Sequence, residues 1–179
     1  MSGLARTLRL LAVCGSLRRA SSNLALLQAA ALVALPELSV ERFRLDALPL
    51  FNPDLEAEMP LAVRAWRAAI AAADGVLISS PEYAHGVSGV MKNALDWLVS
   101  GPEFVGKPVA LLDATTRTEH APAQLVETLR TMSAVVVDAA CLRLALPGGT
   151  HDAAAIAADA AFAAPLRAAL DGFSAAIRR

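Results

Sequence analysis

Short aliphatic, β-rich runs alternate along this chain with longer alanine- and leucine-rich segments, and that alternation restricts the fold more than any other feature. The strand-like runs are Leu8 to Cys14, Val40 to Leu45, Val76 to Ser79, Val109 to Leu112 and Ala134 to Ala139. Helical patterns lie at Leu24 to Leu35, Ala62 to Ala73, Gly89 to Val99, Pro122 to Met132 and Asp152 to Ile177. Connections of this length suit βαβ crossovers rather than hairpins, so the pattern predicts a parallel sheet with helices on both faces. The unbroken apolar character of Leu10 to Cys14 and Val76 to Ile78 agrees, because strands covered on both sides do not alternate. We expect one α/β domain over the whole of its 179 residues, with a doubly wound sheet of five strands in the order 2-1-3-4-5.

Composition narrows the function. Hydrophobic residues are 56% of the chain but aromatic ones only 4%, which predicts a finely packed aliphatic core. With 16 basic and 17 acidic residues the net charge is −1, so no basic field exists to hold nucleic acid. Cys14 and Cys141 are too few for a disulfide framework or a zinc cluster, which points to a reducing, cytoplasmic setting. Arg6 and Arg9 before Leu10 to Cys14 give the outline of a lipoprotein signal. Its apolar stretch is short, however, and Val13 stands where a small residue is needed, so we read a buried strand. No apolar window is long enough to span a membrane. His85, His120 and His151 are scattered, and none is assigned as a base or a metal ligand.

In open parallel sheets, ligands sit beyond the carboxyl ends of the strands where the strand order reverses, here between the first and third strands. Three loops converge on that point: Gly15 to Asn23, Ser80 to Ser88 and Ala114 to His120. The proline-bearing segment Asp46 to Pro60 reads as a surface excursion near the same rim. Loop one, Gly15-Ser16-Leu17-Arg18-Arg19-Ala20-Ser21-Ser22-Asn23, gathers hydroxyls, an amide and two guanidiniums where a strand hands over to a helix. Helix N-termini favour anions there, and Ser and Asn also serve as ordinary caps, so taken alone the loop supports both readings. A P-loop would need a lysine, and a dinucleotide fingerprint would need glycines beyond Gly15. A Mg²⁺-binding receiver would need carboxylates where this chain has Cys14-Gly15-Ser16 and Ser79-Ser80-Pro81. A low-molecular-weight phosphatase loop, counted from Cys14, would place its arginine at Ala20, leaving Arg18 and Arg19 out of register.

The second loop and the helix after it read Ser80-Pro81-Glu82-Tyr83-Ala84-His85-Gly86-Val87-Ser88-Gly89-Val90-Met91-Lys92-Asn93-Ala94-Leu95-Asp96-Trp97. This resembles the signature of the NADPH-dependent FMN reductases, Pro-Glu-Tyr-Asn-x-x-x-Pro-Gly-x-Leu-Lys-Asn-Ala-Ile-Asp-Trp. The first loop resembles that family's Gly-Ser-Leu-Arg-x-x-Ser-x-Asn segment, in the same order along the chain. The resemblance implies a flavodoxin-like fold, bound FMN, and NADPH or NADH as co-substrate. It implies two-electron, ping-pong hydride transfer to a small-molecule acceptor such as a quinone, azo compound, metal oxyanion or free flavin, and a homodimer or homotetramer.

By the same resemblance, Ser16, Arg18, Ser21, Ser22 and Asn23 would hold the FMN phosphate. Pro81, Glu82 and Tyr83 would border the flavin ring, and His85 would face the pocket. Thr115, Thr116 and Arg117 would either contact the flavin or cap the next helix. No catalytic acid or base is assigned, because hydride transfer is the cofactors' own chemistry. Asn93, Asp96 and Trp97 suit architecture or an interface better than ligand contact. Two departures stand out: Ala84 replaces the usual asparagine and Ser88 the usual proline, which is expected to loosen the loop. The third loop also lacks the usual glycines. Arg19 is read as a solvated surface residue, with a 2′-phosphate as the other reading. A flavin-binding electron carrier or sensor without NAD(P)H turnover is the alternative, and a phosphatase-like hydrolase the lesser one.

Overall fold

The first strand shows how the chain builds two cores from one sheet. Leu8, Leu10, Ala12 and Cys14 join one apolar cluster, while Leu11 and Val13 join the other, as the two-residue period of a strand requires. The structure, a computed structural model, describes residues 6–147 and 152–179. His151 lies outside the described residues. In chain order the elements are β1 (Leu8–Cys14), α1 (Ser22–Val33), β2 (Leu38–Phe43), α2 (Leu61–Ala72), β3 (Gly75–Ser79), β4 (Glu82–Tyr83) and β5 (Gly86–Val87). There follow α3 (Gly89–Asp96), β6 (Pro108–Asp113), α4 (His120–Thr131), β7 (Val135–Val136), β8 (Leu142–Arg143), α5 (Ala153–Ala158) and α6 (Ala160–Ile177).

The main sheet runs β2-β1-β3-β6-β7, all parallel, and β8 also pairs with β6. Leu26, Ile156 and Phe173 bring α1, α5 and α6 onto one face; Trp66, Met91 and Leu125 bring α2, α3 and α4 onto the other. This is the expected doubly wound fold, with differences of detail. The expected strand Ala134 to Ala139 is shorter and divided. β7 pairs beside Pro108 and Val109, β8 pairs beside Leu112 and Asp113, and a 3-10 turn, Asp138–Ala140, separates them. Aspartate and alanine are weak strand formers, and the Asp138 carbonyl closes the turn by accepting from Cys141 N.

The mostly helical segment expected from Asp152 to Ile177 is two helices. Asp159 is extended (φ −80°, ψ 115°) and its carboxylate accepts from Ala161 N, capping α6 just where α5 ends. Alanine on both sides hides that break from any periodicity argument. Between Asp46 and Pro60 the chain is irregular apart from a 3-10 turn at Pro53–Leu55, as expected. Asn93 and Trp97 hold it down. Asn93 Oδ1 accepts from Phe51 N at 2.8 Å, and Asn93 Nδ2 and Trp97 Nε1 both donate to the Pro49 carbonyl at 2.9 Å. Phe51 meets the Trp97 ring edge-on, with centroids 5.0 Å apart. Asp96 pairs with Lys92 at 2.6 Å on the outer face of α3. Among the described residues no helix is long and apolar enough to cross a membrane.

Candidate functional site

Gly15 determines how closely the first two loops approach. Its N–H donates to the Ser79 carbonyl at 2.8 Å, and a Cβ at this position would stand 2.4 Å from Ser80 Oγ and 2.9 Å from Ser88 Oγ. Only glycine fits. Ser88 is buried, caps α3 by accepting from Met91 N, and donates its own hydroxyl to the Gly15 carbonyl at 2.7 Å. The expected loosening at Ser88 is therefore corrected. A proline has no hydroxyl, whereas this serine ties the second loop to the first.

The first loop combines capping with a surplus of donors. Ser21 is the N-cap of α1, accepting from Leu24 N, and Ser16 Oγ accepts from Arg18 N at 3.3 Å. Ser22 opens α1, and Asn23 Oδ1 accepts from Ser79 Oγ at 2.9 Å, which leaves the Asn23 amide nitrogen as its donor side. Ser16 uses only a lone pair in its bond, so its hydroxyl hydrogen remains to donate. Arg18 and Arg19 are exposed. Donors and positive charge around a helix start fit a phosphate dianion. Cys14 lies beneath this loop, and burial pushes its thiol up despite the Ser16 N–H, the Ser21 hydroxyl and the Arg42 charge. A thiol held protonated is a poor nucleophile, which weighs against a phosphatase.

The second loop is a small hairpin. β4 and β5 pair antiparallel across Ala84 and His85, whose φ values are 49° and 58°. Glu82 Oε2 accepts from Ala121 N at 2.8 Å, so its carboxylate caps α4. The backbone N–H groups of Ala121 and His120, with the nearby His120 and His85 charges, hold that carboxyl below the usual range. Gln124 of α4 grips the hairpin from the other side, accepting from Val87 N and donating to the His85 carbonyl. His85 stacks on His120 with ring centroids 4.3 Å apart, so α4 covers one face of its imidazole. Pro81 is half-buried, while Tyr83 is 60% exposed and leaves its ring open to a flat partner.

A clamp takes the place of glycines in the third loop. Arg143 of β8 donates to the carbonyls of Thr116 and Thr118, and its Nε lies 3.6 Å from Asp113 Oδ2. Asp113 is buried at the end of β6, and burial raises its carboxyl to about 6 even beside Arg143. Thr115 Oγ1 accepts from Arg117 N, while Thr116 and Arg117 point outward. Neither threonine caps α4: its N-cap, Glu119, makes no side-chain cap bond, and Glu82 performs that task from the hairpin. Asp113, Gln124 and Arg143 are the site-shaping residues that sequence reasoning missed. Arg143 and Gln124 sit in unremarkable segments, and the single acid ending the apolar run Val109 to Leu112 was the only available signal. Among the described residues no group of three or more His, Cys, Asp or Glu stands together.

A doubly wound parallel sheet with a donor-rich strand-to-helix loop and two further loops at its switch point defines a flavodoxin-like α/β protein. The family of NADPH-dependent FMN reductases matches residues 8–146, and the chain belongs to that family. It is 42% identical over 111 residues to an NAD(P)H-dependent FMN reductase of Pseudomonas aeruginosa, covering 60% of each chain. It is 41% identical over 109 residues to a 2-hydroxy-1,4-benzoquinone reductase of a Burkholderia species, covering 59% of each. The matched part thus spans about three fifths of these curated relatives. The solved flavoenzyme NAD(P)H:(acceptor) oxidoreductase from Paracoccus denitrificans superposes with a TM-score of 0.85 at 26% identity, over 96% of this chain and 97% of that one.

Proposed function

We propose that this chain is an FMN-containing, NAD(P)H-dependent oxidoreductase that delivers two electrons in a ping-pong cycle to a small acceptor: a quinone, an azo compound, a metal oxyanion or free flavin. The observation that carries the reading is the close approach of the first two loops at the switch point, enforced at Gly15 by Ser80 and Ser88. Bound FMN would supply the two-electron chemistry, accepting hydride from the nicotinamide. The chain's own residues bind and orient. Ser16, Arg18, Ser21, Ser22 and Asn23 would hold the phosphate with side-chain donors and the first turn of α1. Pro81, Glu82, Tyr83 and His85 would border the ring, with Tyr83 as an apolar wall. Thr115, Thr116 and Arg117 would meet its other end, on a loop kept in shape by Arg143.

No acid–base pair is required of the protein, because positioning and electrostatics are what it contributes to hydride transfer. The quinone reductase among the relatives supports a quinone as acceptor. A homodimer or homotetramer belongs to the same proposal, and sedimentation equilibrium tests it.

The deciding experiment adds FMN to purified protein, records the flavin absorption, and then adds NADPH. Binding followed by bleaching, and NADPH consumption on supplying a quinone, is the expected result. Binding without NADPH turnover would instead mark an electron carrier, and absence of FMN binding by fluorescence titration would end the proposal. Replacement of exposed Arg18 by alanine is expected to weaken FMN binding roughly tenfold or more, the loss of one charge-assisted contact, with the urea midpoint unchanged.

A further inference from the structure

A second basic feature adjoins the first loop, sharing Ser16 and Arg18 with the phosphate site described above but extending away from it toward the end of β2. A cleft of about 230 Å³ lies between Ser16–Arg19 and the segment Arg42–Asp46 that leaves β2, with Cys14 and Leu24 completing its wall. None of its lining residues comes from the second or third loop. Four arginines line it: Arg18, Arg19, Arg42 and Arg44. Among the described residues Asp46 is the only acid in the lining; its carboxylate accepts from Arg44 through contacts of 2.6 and 3.1 Å and also feels the Arg42 charge. Arg18, Arg19 and Arg42 make no salt bridge and no side-chain hydrogen bond among the described residues. Strand register places Arg42 opposite Ala12, next to the end of β1 from which the first loop departs.

Three guanidiniums without an ion-pair partner among the described residues line one small concavity, where like charges disfavour each other, and the chain as a whole is nearly neutral, so the local excess is not a consequence of composition. Guanidinium forks match the oxygens of a phosphomonoester dianion, which would offset that repulsion. The volume sets a second limit. Pockets that enclose a whole drug-sized ligand run to roughly 300–1,000 Å³, so this cleft suits the charged end of a ligand whose remainder lies elsewhere.

We propose that the cleft is a phosphate-discriminating subsite for the electron donor, in which Arg42 and Arg19, with Arg18 on the shared wall, receive the 2′-phosphomonoester that distinguishes NADPH from NADH. The inference rests on the NAD(P)H reading above and adds a donor preference and its residues. It also gives Arg19 the second of its two sequence readings, a partner for a 2′-phosphate, in place of a solvated surface role.

The test is calorimetric titration of the FMN-saturated protein with adenosine 2′,5′-bisphosphate, 5′-AMP and inorganic phosphate, in the native chain and in Arg42→Ala and Arg42→Lys. The expected result is bisphosphate binding at least tenfold tighter than 5′-AMP, a preference lost in Arg42→Ala and partly restored in Arg42→Lys, with FMN affinity unchanged in all three. In turnover, kcat/KM for NADPH falls by about the same factor in Arg42→Ala while that for NADH stays constant. Equal binding of bisphosphate and 5′-AMP, or a preference that survives Arg42→Ala, overturns the proposal. So does inorganic phosphate binding as tightly as the bisphosphate, which would mark a general anion site. Competition between FMN and bisphosphate also overturns it, because the cleft would then belong to the FMN phosphate itself. If the protein does not take up FMN, the functional reading fails separately, and the same titration on flavin-free protein still reports on the cleft.

Discussion

Ala84 and His85 turn the β4–β5 hairpin with φ of 49° and 58°, the pair of positive values that two-residue turns of the I′ kind demand. A left-handed conformation costs an ordinary residue about 1–2 kcal/mol, whereas asparagine and glycine adopt it readily. The asparagine usual at this place in the family therefore has a backbone reason. Replacing Ala84 by asparagine is expected to stabilise the fold by about 0.5–1 kcal/mol, seen as a higher urea midpoint at an unchanged slope. A lower midpoint would mean that the alanine methyl makes a contact worth more than the strain. Sequence comparison exposed the substitution at Ala84 but misread its neighbour Ser88, because the partner of that hydroxyl, the Gly15 carbonyl, lies 73 residues away along the chain.

At the level of elements, the Asn93 and Trp97 side chains act as a clasp. Both ends of the Asn93 amide are used on the Pro49–Phe51 backbone, so Asn93→Ala would leave the Phe51 N–H without its acceptor and remove one donor from the Pro49 carbonyl. A loss of roughly 1–3 kcal/mol is expected, together with faster hydrogen exchange confined to the Asp46–Pro60 segment. Uniform acceleration over the sheet would contradict a local clasp.

Gly15→Ala tests the junction of the first two loops. Its Cβ would collide with Ser80, costing about 1–3 kcal/mol, and Ser80→Gly in the same chain should recover part of that loss. The family signature through Asn93 to Trp97 was readable from the sequence as architecture, and the clasp explains it. The bonds of Gln124 and Glu82 that join α4 to the hairpin were not readable, since both cross between segments some 40 residues apart.

Asp113 gives the whole molecule a distinctive pH response. Its carboxyl rises from an ordinary value of 3.8 to about 6, so between those pH values the native state keeps a proton that the unfolded chain has released. Stability from this group is therefore present at low pH and falls as pH rises from about 4 to 6, by on the order of 2–3 kcal/mol. Asp74, held below the usual range chiefly by its hydrogen bonds with Arg6, acts in the opposite sense, contributing stability above its ordinary pKa that fades as acid protonates it. The difference between native protein and Asp113→Asn isolates the first effect: the variant gains urea resistance relative to the native chain as pH rises through that window. An unchanged difference between the two proteins' midpoints at pH 4.5 and 7 would show that the Asp113 proton is not linked to folding.

Periodicity and alternation marked the strands and the two helical layers of a parallel sheet, because burial on both faces leaves a mark on every strand, and the expected order 2-1-3-4-5 is the one the strand pairing shows. The same local signals located the loop from Gly15 to Asn23 and the signature from Ser80 to Trp97. Tertiary structure alone decided that Glu82 caps a helix by accepting from a residue 39 positions further on, that Arg143 restrains a loop without glycines, and that arginines from β1's loop and β2's end share a cleft. Those relations join residues remote in sequence but adjacent in space. Side-chain hydrogen bonds and charge clusters carry no period along the chain, so they become visible only once the sheet has brought its strand ends together.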